Sequence, residues 1–121
     1  HQPDWLHLYR NFAVTDYARL IANCECLVGN SSSALREGSF LGTPAVNIGT
    51  RQSGRERGDN VVDADYDAGD IEAKIRGQLA SGRYEPSNHF GDARAGKRIA
   101  RILADADINI QKRLHYPATP P

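Results

Sequence analysis

The segment from residue 26 to residue 62 constrains this chain most. It reads C-L-V-G-N-S-S-S-A-L-R-E-G-S-F-L-G-T-P-A-V-N-I-G-T-R-Q-S-G-R-E-R-G-D-N-V-V. Three short apolar runs, at 26–28, 45–48 and 60–62, have the length and flanking glycines of buried strands. Between the first two lies a helix-like stretch, 33–41, which Gly42 ends with Pro44 two residues on. Residues 49–58 form a long polar loop. Strands alternating with helices predict an α/β fold with a parallel sheet and right-handed crossovers.

The flanks extend the pattern. Residues 6–9 read as a further short strand, which brings the expected number to four. A helix follows, capped by Thr15 with Asp16 in its first turn. Its apolar face is Tyr17, Leu20, Ile21 and Cys24, at helical spacing. Ile71, Ile75 and Leu79, four apart, mark another helix that Asp70 could cap. Residues 82–91 hold Gly, Pro, Ser and Asn and read as loop. Ile99, Ile102, Leu103 and Ala106 give the apolar face of a last helix. Its other side carries Arg94, Lys97, Arg98 and Arg101, read as a solvated face. Residues 117–121 are a tail. Four strands fall short of the usual doubly wound sheet. The chain therefore reads as one partial domain, a Rossmann-like three-layer arrangement spanning 1–121.

Composition excludes several roles. Fifteen basic and fifteen acidic residues balance to a net charge of zero, which argues against a general nucleic-acid or membrane binder. No apolar run approaches the roughly 20 residues of a membrane helix, and no signal peptide opens the chain. A cytoplasmic protein is the default expectation. Cys24 and Cys26 lack a second pair, and His7, His89 and His115 are scattered. They read as two reduced cysteines at a helix–strand junction, with no metal site. No cofactor is expected.

Chemistry concentrates in the same segment. Gly29 allows a sharp turn, and Ser31, Ser32 and Ser33 offer hydroxyls and backbone N–H groups at a helix start. That arrangement suits an anion, and equally an ordinary helix cap. No lysine-bearing phosphate loop is present. Glu37 stands one helical turn past Ser33, where a carboxylate can accept from ribose hydroxyls or simply face solvent. Arg51, Arg55 and Arg57 can fork onto phosphate or pair with Glu56 and Asp59. Arg51 is the strongest of the three, because it follows a strand end, where open α/β sheets take ligands. The expectation is that Ser32, Glu37 and Arg51 converge on one diphosphate–ribose ligand.

These strings, G-N-S-S-S-A-L-R-E and F-L-G-T-P-A-V-N-I-G-T-R-Q-S-G-R-E-R-G-D-N-V, resemble the hydrolysing UDP-N-acetylglucosamine 2-epimerases. The closing I-Q-K-R-L-H-Y-P is similar to that family's C-terminus. The non-hydrolysing branch usually has a D-S-G-G-type loop where this chain has Asn30-Ser31-Ser32-Ser33. The resemblance implies a glycosyltransferase-B-like fold, of which this chain would be the UDP-binding C-terminal part. It places Ser31 and Ser32 on the diphosphate, Glu37 on the ribose and Arg51 on the phosphate side. Phe12 would meet the uracil through its backbone, and Tyr17 would help wall the base. It implies conversion of UDP-N-acetylglucosamine and water to N-acetylmannosamine and UDP, in sialic-acid-type sugar biosynthesis. UDP leaves C1 as the C2 proton is lost; water then adds at C1, and C2 is reprotonated on the opposite face. The acids and bases would belong to an N-terminal domain absent here, so no catalytic residue is expected in this chain and the piece alone would be inactive. The expected partners are UDP or a UDP-sugar, that N-terminal domain and further copies in a homo-oligomer. A non-hydrolysing epimerase, a transferase of the same architecture and a non-enzymatic interaction module are the alternatives.

Overall fold

A computed structural model of the chain describes residues 3–107 and 111. Two compact units are present, His1–Phe90 and Gly91–Pro121. In the first, α1 (Val14–Asn23) precedes β1 (Leu27–Gly29), then α2 (Ser32–Leu35), α3 (Glu37–Leu41), β2 (Ala45–Ile48), β3 (Val61–Ala64) and α4 (Ala68–Ser81). The strands form a parallel sheet in the order β1-β2-β3. This is a partial Rossmann-like α/β arrangement.

The register aligns Leu27, Ala45 and Val61 in one row across the sheet. Ala34 and Leu35 of α2 close onto that row and complete the core. The side chains are small, so α2 lies close to the strands. Behind it α1 packs on α3, and α4 runs along β2 and β3. Gly42 terminates α3 in the left-handed conformation (φ 68°). A side chain there would put its Cβ 2.0 Å from the carbonyl oxygen of Tyr84, so only glycine fits. Thr43 Oγ1 donates to the Ile21 carbonyl at 2.9 Å and accepts from Arg83 Nη2 at 2.9 Å. Arg83 also donates to the carbonyls of Cys24 and Leu41, tying together the C-terminal ends of α1 and α3.

Several expectations need correction. Residues 6–9 form no strand: Leu6 N–H closes a turn onto the Pro3 carbonyl at 3.0 Å, and Leu8 and Tyr9 are exposed. Residues 6–9 pair with neither edge of the sheet, and the described sheet has three strands, not four. Thr15 does not cap α1, which starts two residues earlier than that cap would give, after Ala13 and with no side-chain cap. Asp67 rather than Asp70 caps α4, accepting from the Asp70 N–H at 2.9 Å. Asp70 instead accepts from the Asp65 N–H at 2.9 Å. The helix expected over 33–41 is interrupted at Arg36 (φ −96°, ψ −71°) and becomes α2 and α3.

The buried residue of α4 is Gln78, while Leu79 is half exposed. Gln78 Nε2 donates to the carbonyls of Ala45 (2.7 Å) and Asn60 (2.9 Å), and its Oε1 accepts from Tyr84 Oη at 2.6 Å. The helix is therefore pinned to the sheet by an amide. Cys24 and Cys26 are free thiols at the junction of α1 and β1. Burial raises the pKa of both, with the neighbouring Cys24 adding to the rise at Cys26.

In the second unit, α5 (Ala95–Asp105) has no buried residue; Ile99, Ile102 and Leu103 are exposed along with its basic side chains. Arg98 pairs with Asp92. Residues 117–121 lie outside the described residues.

Gln78→Ala is expected to lower the unfolding free energy by about 3 kcal/mol, because it removes two buried hydrogen bonds and a partly buried one from the Tyr84 hydroxyl. Urea denaturation of both proteins measures it. A loss below about 1 kcal/mol would mean that the amide is not what holds α4.

Candidate functional site

The C-terminal ends of the strands converge on one backbone carbonyl. β1 ends at Gly29, whose φ of 145° turns the chain toward Asn30. Ser31 caps α2, its Oγ accepting from the Ser33 N–H at 3.3 Å. Burial of Ala34 and Leu35 holds this short helix in place. The β2–β3 connection returns to the same point. Arg51 Nη1 and Gln52 Nε2 each donate to the Asn30 carbonyl at 2.7 Å. Two donors occupy one oxygen, so the loop is docked on the turn that precedes α2.

A second anchor fixes the other end of the loop. Asn47 and Asp63 face each other across β2 and β3, and Asn47 Nδ2 donates to Asp63 Oδ1 at 2.8 Å. Arg57 Nη1 donates to the same carboxylate at 2.6 Å, and its Nη2 reaches the Gln52 carbonyl at 3.3 Å. The Asn47 hydrogen bond is the leading cause that holds the Asp63 pKa below the usual carboxylate value. Burial opposes it, and the Arg57 hydrogen bond and charge each add a smaller lowering.

Two open hollows flank the Asn30–Ser31–Ser32 turn. One, of about 300 Å³, has Tyr17, Val28, Gly29, Ser31 and Ala34 in its wall. The other, of about 180 Å³, is walled by Ser32, Leu35, Arg36, Arg55, Glu56 and Phe90. Phe12 stacks between Tyr9 (centroids 4.9 Å apart) and Tyr17 (6.3 Å), which continues the aromatic side of the first hollow. The structure thus brings Phe12, Tyr17 and Ser31 to one region, and Arg51 to the turn between the hollows. Glu37 is exposed at the first position of α3, and among the described residues its side chain makes no hydrogen bond or ion pair. Neither hollow has Glu37 or Arg51 in its wall.

The loop arginines divide differently from expectation. Arg57 pairs with Asp63, not with Glu56 or Asp59. Glu56 lies 3.7 Å from His89 Nε2. Gln52, a residue the sequence marks only as loop, is 1% exposed. Tyr66 was equally silent in the sequence. Its ring lies so close over Gly49 (φ 72°) that a Cβ there would meet it at 2.1 Å. The signal for that contact is the glycine itself, placed where a strand leaves the sheet.

Residues 1–104 match the family model described as UDP-N-acetylglucosamine 2-epimerase. The chain belongs to the UDP-N-acetylglucosamine 2-epimerase family. It is 32% identical over 119 residues to a UDP-N-acetylglucosamine 2-epimerase of Neisseria meningitidis serogroup B, covering 93% of this chain and 32% of that protein. It is 35% identical over 107 residues to a UDP-N,N'-diacetylbacillosamine 2-epimerase (hydrolyzing) of Legionella pneumophila, covering 87% of this chain and 27% of that protein. A GDP/UDP-N,N'-diacetylbacillosamine 2-epimerase (hydrolyzing) of Campylobacter jejuni is 40% identical over 58 residues, covering 48% of this chain and 15% of that protein. The chain thus spans about a third or less of the length of these curated relatives. Within this epimerase-family chain, the matched residues include both anchors of the loop.

The anchor at Asp63 carries a pH dependence. A carboxyl whose folded pKa is depressed contributes stability that is present above its unfolded value, about pH 4 for aspartate, and lost as pH falls through the folded value. Asp63→Asn is expected to remove that component, so that wild type and variant differ at neutral pH and approach each other in strong acid. Urea denaturation across the acid range checks this; a difference that grows with acidity would contradict the assigned sign.

Proposed function

We propose that this chain is the UDP-holding part of a hydrolysing UDP-sugar 2-epimerase. The parent enzyme converts UDP-N-acetylglucosamine, or a diacetylated relative, with water into UDP and the free 2-epimeric sugar. The observation that carries this reading is the double clamp on the Asn30 carbonyl. It holds an arginine-rich loop beside two serines at strand ends, where open parallel sheets take ligands. Family membership and relatives named as hydrolysing epimerases support the substrate class and the branch.

In this reading Ser31, Ser32 and Arg51 meet the diphosphate. Glu37 accepts from the ribose hydroxyls, and Phe12 with Tyr17 borders the uracil. Glu37 is suited to that role because nothing in the described protein competes for its carboxylate. The acids and bases that move the C2 proton stand on a second domain, facing this one in a glycosyltransferase-B-like cleft. The parent is a homo-oligomer in the cytoplasm, and the present chain alone turns over nothing.

An NMR titration of the ¹⁵N-labelled chain with UDP is expected to move the resonances of residues 31–37 and Arg51 at millimolar ligand. Arg51→Ala is expected to weaken UDP roughly tenfold, the worth of one charge-assisted hydrogen bond. Resonances that stay still at millimolar UDP would sink the nucleotide reading. Assay of the longer parent decides the branch: free sugar plus UDP for the hydrolysing reaction, an intact epimeric UDP-sugar for the other.

A further inference from the structure

We infer that Gln52 is a positioning residue for Arg51: it holds the Asn30 carbonyl so that the arginine can leave that oxygen for an anionic ligand. This role rests on the nucleotide reading above and adds to it the residue that makes Arg51 movable. The two donors on the Asn30 oxygen lie at the same distance, 2.7 Å, yet they are not equivalent. Gln52 is 1% exposed, whereas Arg51 is exposed. The glutamine amide has one workable orientation, since the reverse would set its oxygen against the Asn30 oxygen. Arg51 engages that oxygen through Nη1 and keeps its other N–H donors at the surface.

Gln52 is tied to the sheet independently of Arg51. Its own carbonyl accepts from Arg57 Nη2 at 3.3 Å, and Arg57 Nη1 donates to Asp63 at 2.6 Å. Asp63 belongs to β3. The connection from β3 through Arg57 and Gln52 to Asn30 therefore closes through the glutamine side chain, whether or not Arg51 takes part. Arg51 repeats the last link of that connection. Among the described residues its side chain makes no other hydrogen bond or ion pair. A surface contact that duplicates a buried one is a rest position, from which a side chain can move without releasing the loop.

The shared oxygen makes that movement easy. A carbonyl oxygen has two lone pairs, and both are met here. When Arg51 departs, Gln52 still satisfies the oxygen, and water can take the vacated outer side. Without Gln52, the departure would strip a partly buried carbonyl of its last protein donor, which opposes it. Two N–H groups on one acceptor also repel each other, so losing the glutamine tightens the remaining bond to Arg51. The glutamine thus lowers what Arg51 gives up on turning to a phosphate, where its planar fork can engage two oxygens at once.

Thermal unfolding of the 121-residue chain without ligand tests the first half. Arg51→Ala is expected to move the midpoint by under about 2 °C, and Gln52→Met to lower it by about 5 °C. Equal losses would make Arg51 part of the loop's fixed framework, overturning the inference and leaving the nucleotide reading intact. Calorimetry with UDP tests the second half. Gln52→Met is expected to weaken UDP about tenfold, as Arg51→Ala does, and the double variant to be no weaker than either single one. A Gln52→Met effect of the same size with and without Arg51 would mean that the glutamine only shapes the loop, and overturns the inference. Side-chain ¹⁵N NMR of Arg51 separates release from disorder. In unliganded Gln52→Met, rotation about the Arg51 Nε–Cζ bond is expected to slow severalfold; rotation that speeds up would show a loosened loop and overturn the inference. Gln52→Glu, whose carboxylate can hold Arg51 as an ion pair, is expected to weaken UDP and slow the same rotation, and serves where the methionine variant does not fold. Failure of the wild-type chain to bind UDP overturns the inference together with the nucleotide reading.

Discussion

One oxygen organises the ligand-facing end of this domain. The β2–β3 connection contains no helix, so nothing in its backbone pattern fixes where it lies. Gly49 and Gly54, both at positive φ, let it fold back without regular structure. What fixes its first half is the Asn30 carbonyl, shared by Arg51 and Gln52, while Arg57 on Asp63 fixes the other end. Gln52 is almost fully buried, so its hydrogen bond is shielded from water and costly to break. The carbonyl also lies one residue before Ser31. The same contact that orders the loop therefore sets the spacing between its arginines and the serine turn.

Buried amides carry much of the remaining specification. The apolar core is small, built from Ala34, Leu35, Ala45 and Val61 with Leu27 beside it. Asn60 compensates by linking elements: its Nδ2 donates to the carbonyls of Ala34 and Thr43. That ties α2 and the start of β2 to the residue before β3. Gln78 does the same for α4. Asn47, Gln52 and Asn60 each donate through nitrogen, while their side-chain oxygens find no partner among the described residues. An unmet buried acceptor costs about 1–3 kcal/mol. An apolar residue of similar size would avoid that cost, but it could not draw two carbonyls together. The polar groups thus define geometry more than they add stability.

The sequence was most legible where a residue type leaves the backbone little choice. Gly42 and Pro44 bracket the end of α3, and the strand read at 45–48 begins and ends where β2 does. Apolarity by itself misled. Residues 6–9 look like a strand, but pairing needs a neighbour, and Leu8 and Tyr9 stay in solvent. Ile71, Ile75 and Leu79 hid Gln78, because a glutamine between apolar residues gives no sign that two strand carbonyls await it. Side-chain partners across long sequence separations were equally unreadable: Arg51 and Asn30 are 21 residues apart, Arg57 meets Asp63 instead of Glu56 or Asp59. The helix expected over 33–41 ends where α3 does and starts one residue after α2 does. The break at Arg36 has no glycine or proline at that position to announce it, so no local pattern encodes it.

Net neutrality conceals an ordered distribution of charge. Arg57 is committed to a carboxylate on β3 and serves the loop's shape. Arg51 spends one N–H on a carbonyl and keeps its other donors. Arg36 and Arg55 spend none of their side-chain donors on the described protein. An anion binder needs uncommitted guanidinium groups, because a guanidinium already neutralised by a carboxylate offers little to a phosphate. A chain with as many acids as bases can therefore present unbalanced positive charge at one place, provided that its acids are engaged elsewhere. Asp63 and Asp92 are engaged in this way: hydrogen bonds from the Asn47 amide and from the Arg94 N–H respectively, with an arginine side chain adding to each, hold them below the usual carboxylate pKa.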